Sequence, residues 1–226
     1  MTIPDRNRVF IFAVLLTWAA HASSAEAINI TITYSPRLDW VCSIFRGPPI
    51  DEEWETELLA RQPEFEQLWA AVGPKLIAAT EAIAGQAFPA DEITVRLTLC
   101  NLPSQSALGV SVNMRYALQS FTARPVPMRY KVDTLFHELL HNYLDEYPVP
   151  DSKLLGQHAT EPARVRSHLH LLALEKAVFL ALGESQALMD VIDIDSQLPN
   201  GYYKRAWEII NATDDEYLKY VGEISR

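Results

Sequence analysis

The chain has 226 residues, a formal charge of −10 at pH 7 and two cysteines. That length suits one domain, or two closely packed lobes, with enough chain to bury a core. The acidic balance and the lack of any basic run argue against a protein that pairs with nucleic-acid phosphates, and no internal repeat or low-complexity linker divides the sequence.

The first stretch reads as a sorting signal. Arg6 and Arg8 precede an apolar run from Val9 to Ala20, and small residues follow up to Ala25. A basic start, a short apolar run and a small-residue site mark residues 1–25 as a secretory signal peptide. The run falls short of the roughly 20 apolar residues a membrane span needs. No later segment is long and apolar enough either. The expectation is a soluble product, residues 26–226, that is secreted or periplasmic and keeps no stable membrane span after cleavage. In an oxidising compartment Cys42 and Cys100 could form a single disulfide; two separately buried thiols are the other reading.

Ile28 to Tyr34 alternates apolar and polar residues and predicts a half-buried strand. Arg46-Gly-Pro-Pro-Ile50 breaks the chain. From Asp51 to about Gly85 the pattern predicts two helices meeting near Pro63, the second kinked at Pro74, with Phe65, Leu68, Trp69 and Leu76 as core. Ile93 to Leu99 alternates strictly and is the clearest strand; Leu108 to Leu118 is another candidate. A helix begins near Tyr130, and Pro148 and Pro150 force the chain out of it. The stretch from roughly Glu161 to Leu182 is a helix that is apolar almost all round and should be central. What remains is helical and aromatic. The fold class expected is α+β, predominantly helical.

Within the helix after Tyr130 stands His137-Glu138-Leu139-Leu140-His141. Side chains four apart lie one above the other on a helix, so both imidazoles leave from one side and can share one metal ion. Glu138 stands about 100° round the helix, splayed from the pair, where its carboxylate could hold a water. Val132, Leu135, Phe136, Leu139, Leu140, Tyr143 and Leu144 form the apolar stripe, and Thr134, His137, Glu138, His141 and Asp145 fall on the other side.

The pattern H-E-x-x-H resembles the zincin metallopeptidases. The order of strand, long helix, strands and motif helix is similar to the zincin upper lobe, here about 26–145, with a helical lower lobe over about 146–226. That resemblance implies a small sheet, a backing helix and an extended substrate that pairs with the strand around Gly109–Met114; an internal strand is the other reading. It also allows one C-terminal tyrosine to donate to a reaction intermediate, among Tyr202, Tyr203, Tyr217 and Tyr220. The longer metzincin signature is absent, since Leu144 and Tyr147 occupy its glycine and third-histidine places.

Glu175 is conspicuous, because a carboxylate in the apolar stripe of the later helix is costly unless paired, hydrogen-bonded or bound to metal. This resembles the gluzincin arrangement, in which a glutamate on a later helix joins the two histidines, although Leu174 stands where those families carry an asparagine. The expected zinc ligands are His137, His141 and Glu175, with Glu138 as general base. Asp145, His158 and Glu161 are the alternatives to Glu175, and His168, two turns before it, could point into the cleft.

The function expected is an exported zinc-dependent metallopeptidase-like hydrolase acting on a peptide or protein. Against it stand a non-catalytic exported binding domain and a zinc hydrolase of some non-peptide substrate. The sorting signal makes its own prediction. The exported protein should begin near Glu26 when its N-terminus is sequenced, and a start at Met1 in a membrane fraction would sink that reading.

Overall fold

A computed structural model describes residues 28–107 and 109–225. The stretch expected to be a sorting signal and Leu108 lie outside the described residues. Three strands, β1 (Asn29–Tyr34), β2 (Glu92–Thr98) and β3 (Ser111–Asn113), form one parallel sheet in that order. Two helices, α1 (Pro36–Arg46) and α2 (Glu52–Ala84), connect β1 to β2. After β3 come α3 (Met128–Glu146), the short α4 (Lys153–Gln157), α5 (Ala163–Ala181), α6 (Ser185–Ser196), α7 (Tyr202–Ile210) and α8 (Glu216–Ile224). The chain is thus mostly helical with a small sheet, as its class predicts. Among the described residues no helix is long and apolar enough to cross a membrane.

The sheet is short because little of it is buried. Val95 and Leu97 of β2 point into the core while Thr94 and Arg96 face solvent, the alternation of a sheet covered on one face. The register sets Ile32 beside Val95 and Leu97 beside Val112. β3 covers only a small part of the strand predicted from Leu108 to Leu118. Asn113 ends it: its amide donates to the Cys100 and Leu102 carbonyls at 3.0 and 2.5 Å, and its Oδ1 accepts the Arg115 N–H at 3.0 Å. The chain is turned there into a 3-10 turn over Arg115–Ala117. The outer edge of β3 is also taken. Ser111 and Gln105 exchange backbone hydrogen bonds of 2.8 and 3.0 Å, and the Asn113 N–H donates to Ser104 Oγ at 3.0 Å. A substrate strand would have to displace residues 104 and 105, so the edge proposed from the zincin resemblance is not open here.

The two helices predicted to meet near Pro63 are one. α2 runs 33 residues through Pro63 and Pro74. Each proline removes a backbone donor, and packing of α2 against α3 and α5 holds the helix across both gaps. Its first turns are tied down as well. The Glu57 carboxylate accepts the N–H groups of Gln119 and Ser120 at 2.9 and 2.7 Å.

α1, in a stretch to which sequence periodicity assigned no element, is held by its polar side. Asp39 accepts the Thr98 hydroxyl and the Leu99 N–H, and Cys42 is disulfide-bonded to Cys100. The structure therefore decides for the disulfide over two separate thiols. It ties α1 to the end of β2 across 58 residues of sequence.

α5 is the central helix. Leu169, Leu171, Leu172, Leu174, Val178 and Phe179 are buried, and it packs on α2, α3, α6, α7 and α8. Each such side chain contributes about 1.5–3 kcal/mol on burial. One apolar cluster runs continuously from β2 to α8.

A glycine tests the packing of α2. The Trp69 indole, itself buried, covers Gly73 one turn later, and a Cβ there would lie inside the ring's van der Waals surface. Gly73→Ala should therefore destabilise by about 1–3 kcal/mol through overpacking, although alanine is the better helix former by about 1 kcal/mol. Gly222→Ala in α8, where nothing lies within 4 Å of the added atom, should stabilise by up to about 1 kcal/mol. Urea denaturation of both variants checks the opposite signs.

Candidate metal centre

α3 delivers His137 and His141 to the side that faces α5, where His168 meets them. The three ring centroids are 5.0 to 5.5 Å apart. One nitrogen from each ring lies within 4.8 Å of the others. Three imidazoles are thus close enough to hold one metal ion. Bound zinc would need the nitrogens drawn to about 2.0–2.1 Å from one point.

Two of the three rings are held through Nδ1. His137 Nδ1 is 3.1 Å from Glu175 Oε2, and both side chains are buried. His168 Nδ1 is 2.6 Å from the Arg164 carbonyl one turn back on α5. A carbonyl can only accept, so His168 carries its proton on Nδ1 and turns the Nε2 lone pair toward the cluster. His137 Nε2 is buried without a hydrogen-bond partner among protein atoms. Such an orphan is costly, and it lies in a group of three imidazoles close enough to hold a metal ion once its proton is lost.

Glu175 therefore stands behind His137, while the third nitrogen of the cluster comes from His168. The ligand set expected from sequence placed Glu175 beside the two motif histidines. α5 presents both residues on one face two turns apart, and its position against α3 brings the earlier one to the imidazoles. The other candidates are engaged elsewhere. Asp145 is exposed. His158 Nε2 is 2.9 Å from the Tyr220 hydroxyl, and Glu161 pairs with Arg205 at 2.5 Å.

Charge around the site follows from burial. Burial disfavours the His137 cation, but the Glu175 hydrogen bond and charge outweigh it and raise its pKa to about 9. Burial, with repulsion from His137, lowers His141 to about 3 and His168 to about 4. Both rings are neutral at pH 7 and offer lone pairs. Glu138 is buried, and desolvation raises its carboxyl to about 7 against the pull of His137.

Two residues that sequence reasoning did not assign complete the site. Asp195 of α6 accepts the Tyr130 hydroxyl at 2.8 Å and Trp207 Nε1–H at 2.9 Å, and its charge attracts His137. Tyr203 of α7 sets its ring 4.8 Å from His168 and 5.5 Å from His137. Burial and the Glu138 charge raise its pKa, so the phenol keeps its proton. Tyr203 was one of four tyrosines left open, and only the fold selects it. Asp195 gave no signal, since α6 carries Asp190, Asp193 and Asp195 in similar settings.

The loop after α3 is anchored. The Ser152 hydroxyl donates to Glu223 at 2.5 Å, the Leu154 N–H donates to it at 3.4 Å, and His170 Nε2 lies 2.9 Å from it. No protein-family model, curated protein or solved structure matches this chain.

The His137–Glu175 contact predicts how metal affinity changes with pH. A cation must displace the His137 proton, so zinc affinity should climb from pH 6.5 toward about 9, by up to roughly tenfold per unit. Glu175→Gln removes the charge that holds this proton. It should flatten that slope and weaken zinc by about 10–100-fold. Competition titrations against a chromophoric chelator measure both, and a wild-type profile flat across this window would contradict the assignment.

Proposed function

We propose that the chain is an exported zinc-dependent hydrolase of the metallopeptidase type, with His137, His141 and His168 as ligands and Glu138 as general base. The observation that carries this reading is the convergence of three imidazoles around the unpartnered His137 Nε2, with a buried carboxyl on the adjacent residue. Glu175 acts on His137, holding its orientation and its tautomer.

Zinc at such a site supplies Lewis-acid polarisation of a carbonyl and a lower pKa for water. Glu138 takes a proton from the attacking water and returns it to the leaving amine. It adjoins His137 on α3 and is itself buried. Tyr203, still protonated, donates a hydrogen bond to the oxygen that gains negative charge. Asp195 and Glu175 place negative charge behind His137, so that its ring stays aimed at the cluster. The disulfide between Cys42 and Cys100 supports the extracytoplasmic setting, where such bonds persist. A peptide or protein substrate is the class that the H-E-x-x-H resemblance implies.

The burial of His137 and Glu138 favours one rival, a metal-holding domain without turnover. The two readings part at Glu138. In the hydrolase, Glu138→Gln keeps zinc while peptide cleavage falls by about 10²–10⁴-fold, and His168→Ala loses zinc and cleavage together. Zinc content by elemental analysis and turnover on a peptide library decide between them. Stoichiometric zinc with no wild-type cleavage would select the rival, and full zinc occupancy in His168→Ala would remove His168 from the ligand set.

A further inference from the structure

α1 is turned inside out relative to an ordinary surface helix. Its polar residues Asp39 and Ser43 are buried, at 4% and 8% exposure, while Leu38, Trp40, Val41, Ile44 and Phe45 are between 45% and 78% exposed. These five are half of the ten large hydrophobic residues exposed among the described residues, gathered on one 11-residue helix. Scattered exposed apolar residues need no explanation, but a contiguous face of this kind marks an interaction surface. The helix cannot roll to hide it. Asp39 is bonded to Thr98 and Leu99, and the adjacent disulfide fastens Cys42 to Cys100.

We infer that α1 is an interfacial helix that seats this protein on an anionic lipid surface. The charges on the helix indicate the partner. Arg37 and Arg46, one near each end, are exposed, and its one acid, Asp39, is turned inward. The outward face therefore carries Arg37 and no acid, and Arg46, seven residues after Asp39, is exposed at the C-terminal end of the helix, in a chain whose total is −10. Tryptophan, phenylalanine and aliphatic residues flanked by arginines are the composition that enters the boundary between headgroups and acyl chains. A second copy of the chain fits poorly. Pairing two α1 faces would bury Arg37 of each copy in an apolar contact, and neither face offers an acid to meet it. An anionic bilayer accepts Arg37 and all five apolar side chains at once. The acidic remainder of the surface is repelled by the same lipids, so it would orient the molecule with α1 down.

Sedimentation with two kinds of vesicle tests this, phosphatidylcholine alone and phosphatidylcholine with a minor share of phosphatidylglycerol. The protein as isolated should bind the mixed vesicles more tightly. Trp40→Ser with Phe45→Ser should weaken that binding on the order of a hundredfold. Arg37→Ser with Arg46→Ser should weaken it by roughly tenfold or more on the mixed vesicles and little on the neutral ones. Val41→Ser with Ile44→Ser stands in should the first pair fail to fold, as judged by circular dichroism. Binding that persists in the apolar variants would assign it to another segment, such as Val9–Ala20, and overturn the inference. So would a wild type that ignores both vesicles, including one that instead forms a dimer which Trp40→Ser with Phe45→Ser dissociates.

Discussion

The contact between His137 and Glu175 is the interaction on which the rest of the structure depends. It joins α3 to α5 at the centre of the helical layer, with both side chains removed from solvent. Neither would be tolerable alone. A lone buried carboxylate would take up a proton, and burial does raise the Glu175 pKa against the pull of His137. Loss of one partner of such a pair costs about 3–5 kcal/mol, because the survivor keeps its desolvation penalty. The pair sets the angle of the first imidazole and helps fix how α5 lies on α3. The position of His168 follows from that, since it rides on the same helix two turns before Glu175.

Around this contact the polar groups form a graded sequence. Glu175 and Asp195 lie behind His137, and Asp195 is itself satisfied by Tyr130 and Trp207. α6 and α7 are thereby tied to the start of α3 by hydrogen bonds inside an otherwise apolar interface. A second polar group, Glu223 with Ser152 and His170, binds α8 to the segment that leaves α3. α5 contributes to both groups, through Glu175 and His170. Glu175 and His170 on this largely apolar helix therefore do more than fill the core; each fixes a neighbouring element.

The parts of this arrangement that were legible in the sequence are those set by local geometry. Four-residue spacing puts His137 and His141 on one side of any helix, and the cost of a buried charge singles out Glu175 without reference to a partner. Which atom Glu175 meets is another matter. His168 and Glu175 share a face of α5, and periodicity cannot say which of them slides opposite the α3 imidazoles; packing of α5 against five other helices decides it. The same limit applies to α2, where two prolines suggest a break that tertiary contacts bridge. β3 was overestimated because side-chain alternation continues past Asn113, while the Asn113 hydrogen bonds turn the backbone away. α1 went unread because its burial is reversed: the cue for a surface helix is an apolar stripe that faces inward, and here the stripe faces out.

Two of the local inconsistencies in this chain underlie the metal and lipid contacts proposed for it. Most of the molecule obeys the usual agreement between pattern and burial, as in β2, α5 and the continuous core. At the three-histidine cluster the agreement fails: one buried nitrogen is unpartnered, one imidazole is pushed toward the cationic form and two away from it, and burial raises the pKa of a neighbouring carboxyl. At α1 it fails again, with polar groups inside and apolar groups out. A sequence usually departs from its own rules where function demands it. Each departure is also held in place by strong fixed contacts, the His137–Glu175 pair in one case and the Asp39 hydrogen bonds with the disulfide in the other. A cation among the three imidazoles would give the orphan nitrogen its partner, and a lipid boundary would cover the apolar ridge. Both would bind the folded chain alone, because the unfolded chain gathers neither the histidines nor the ridge. By mass action each would add to its stability.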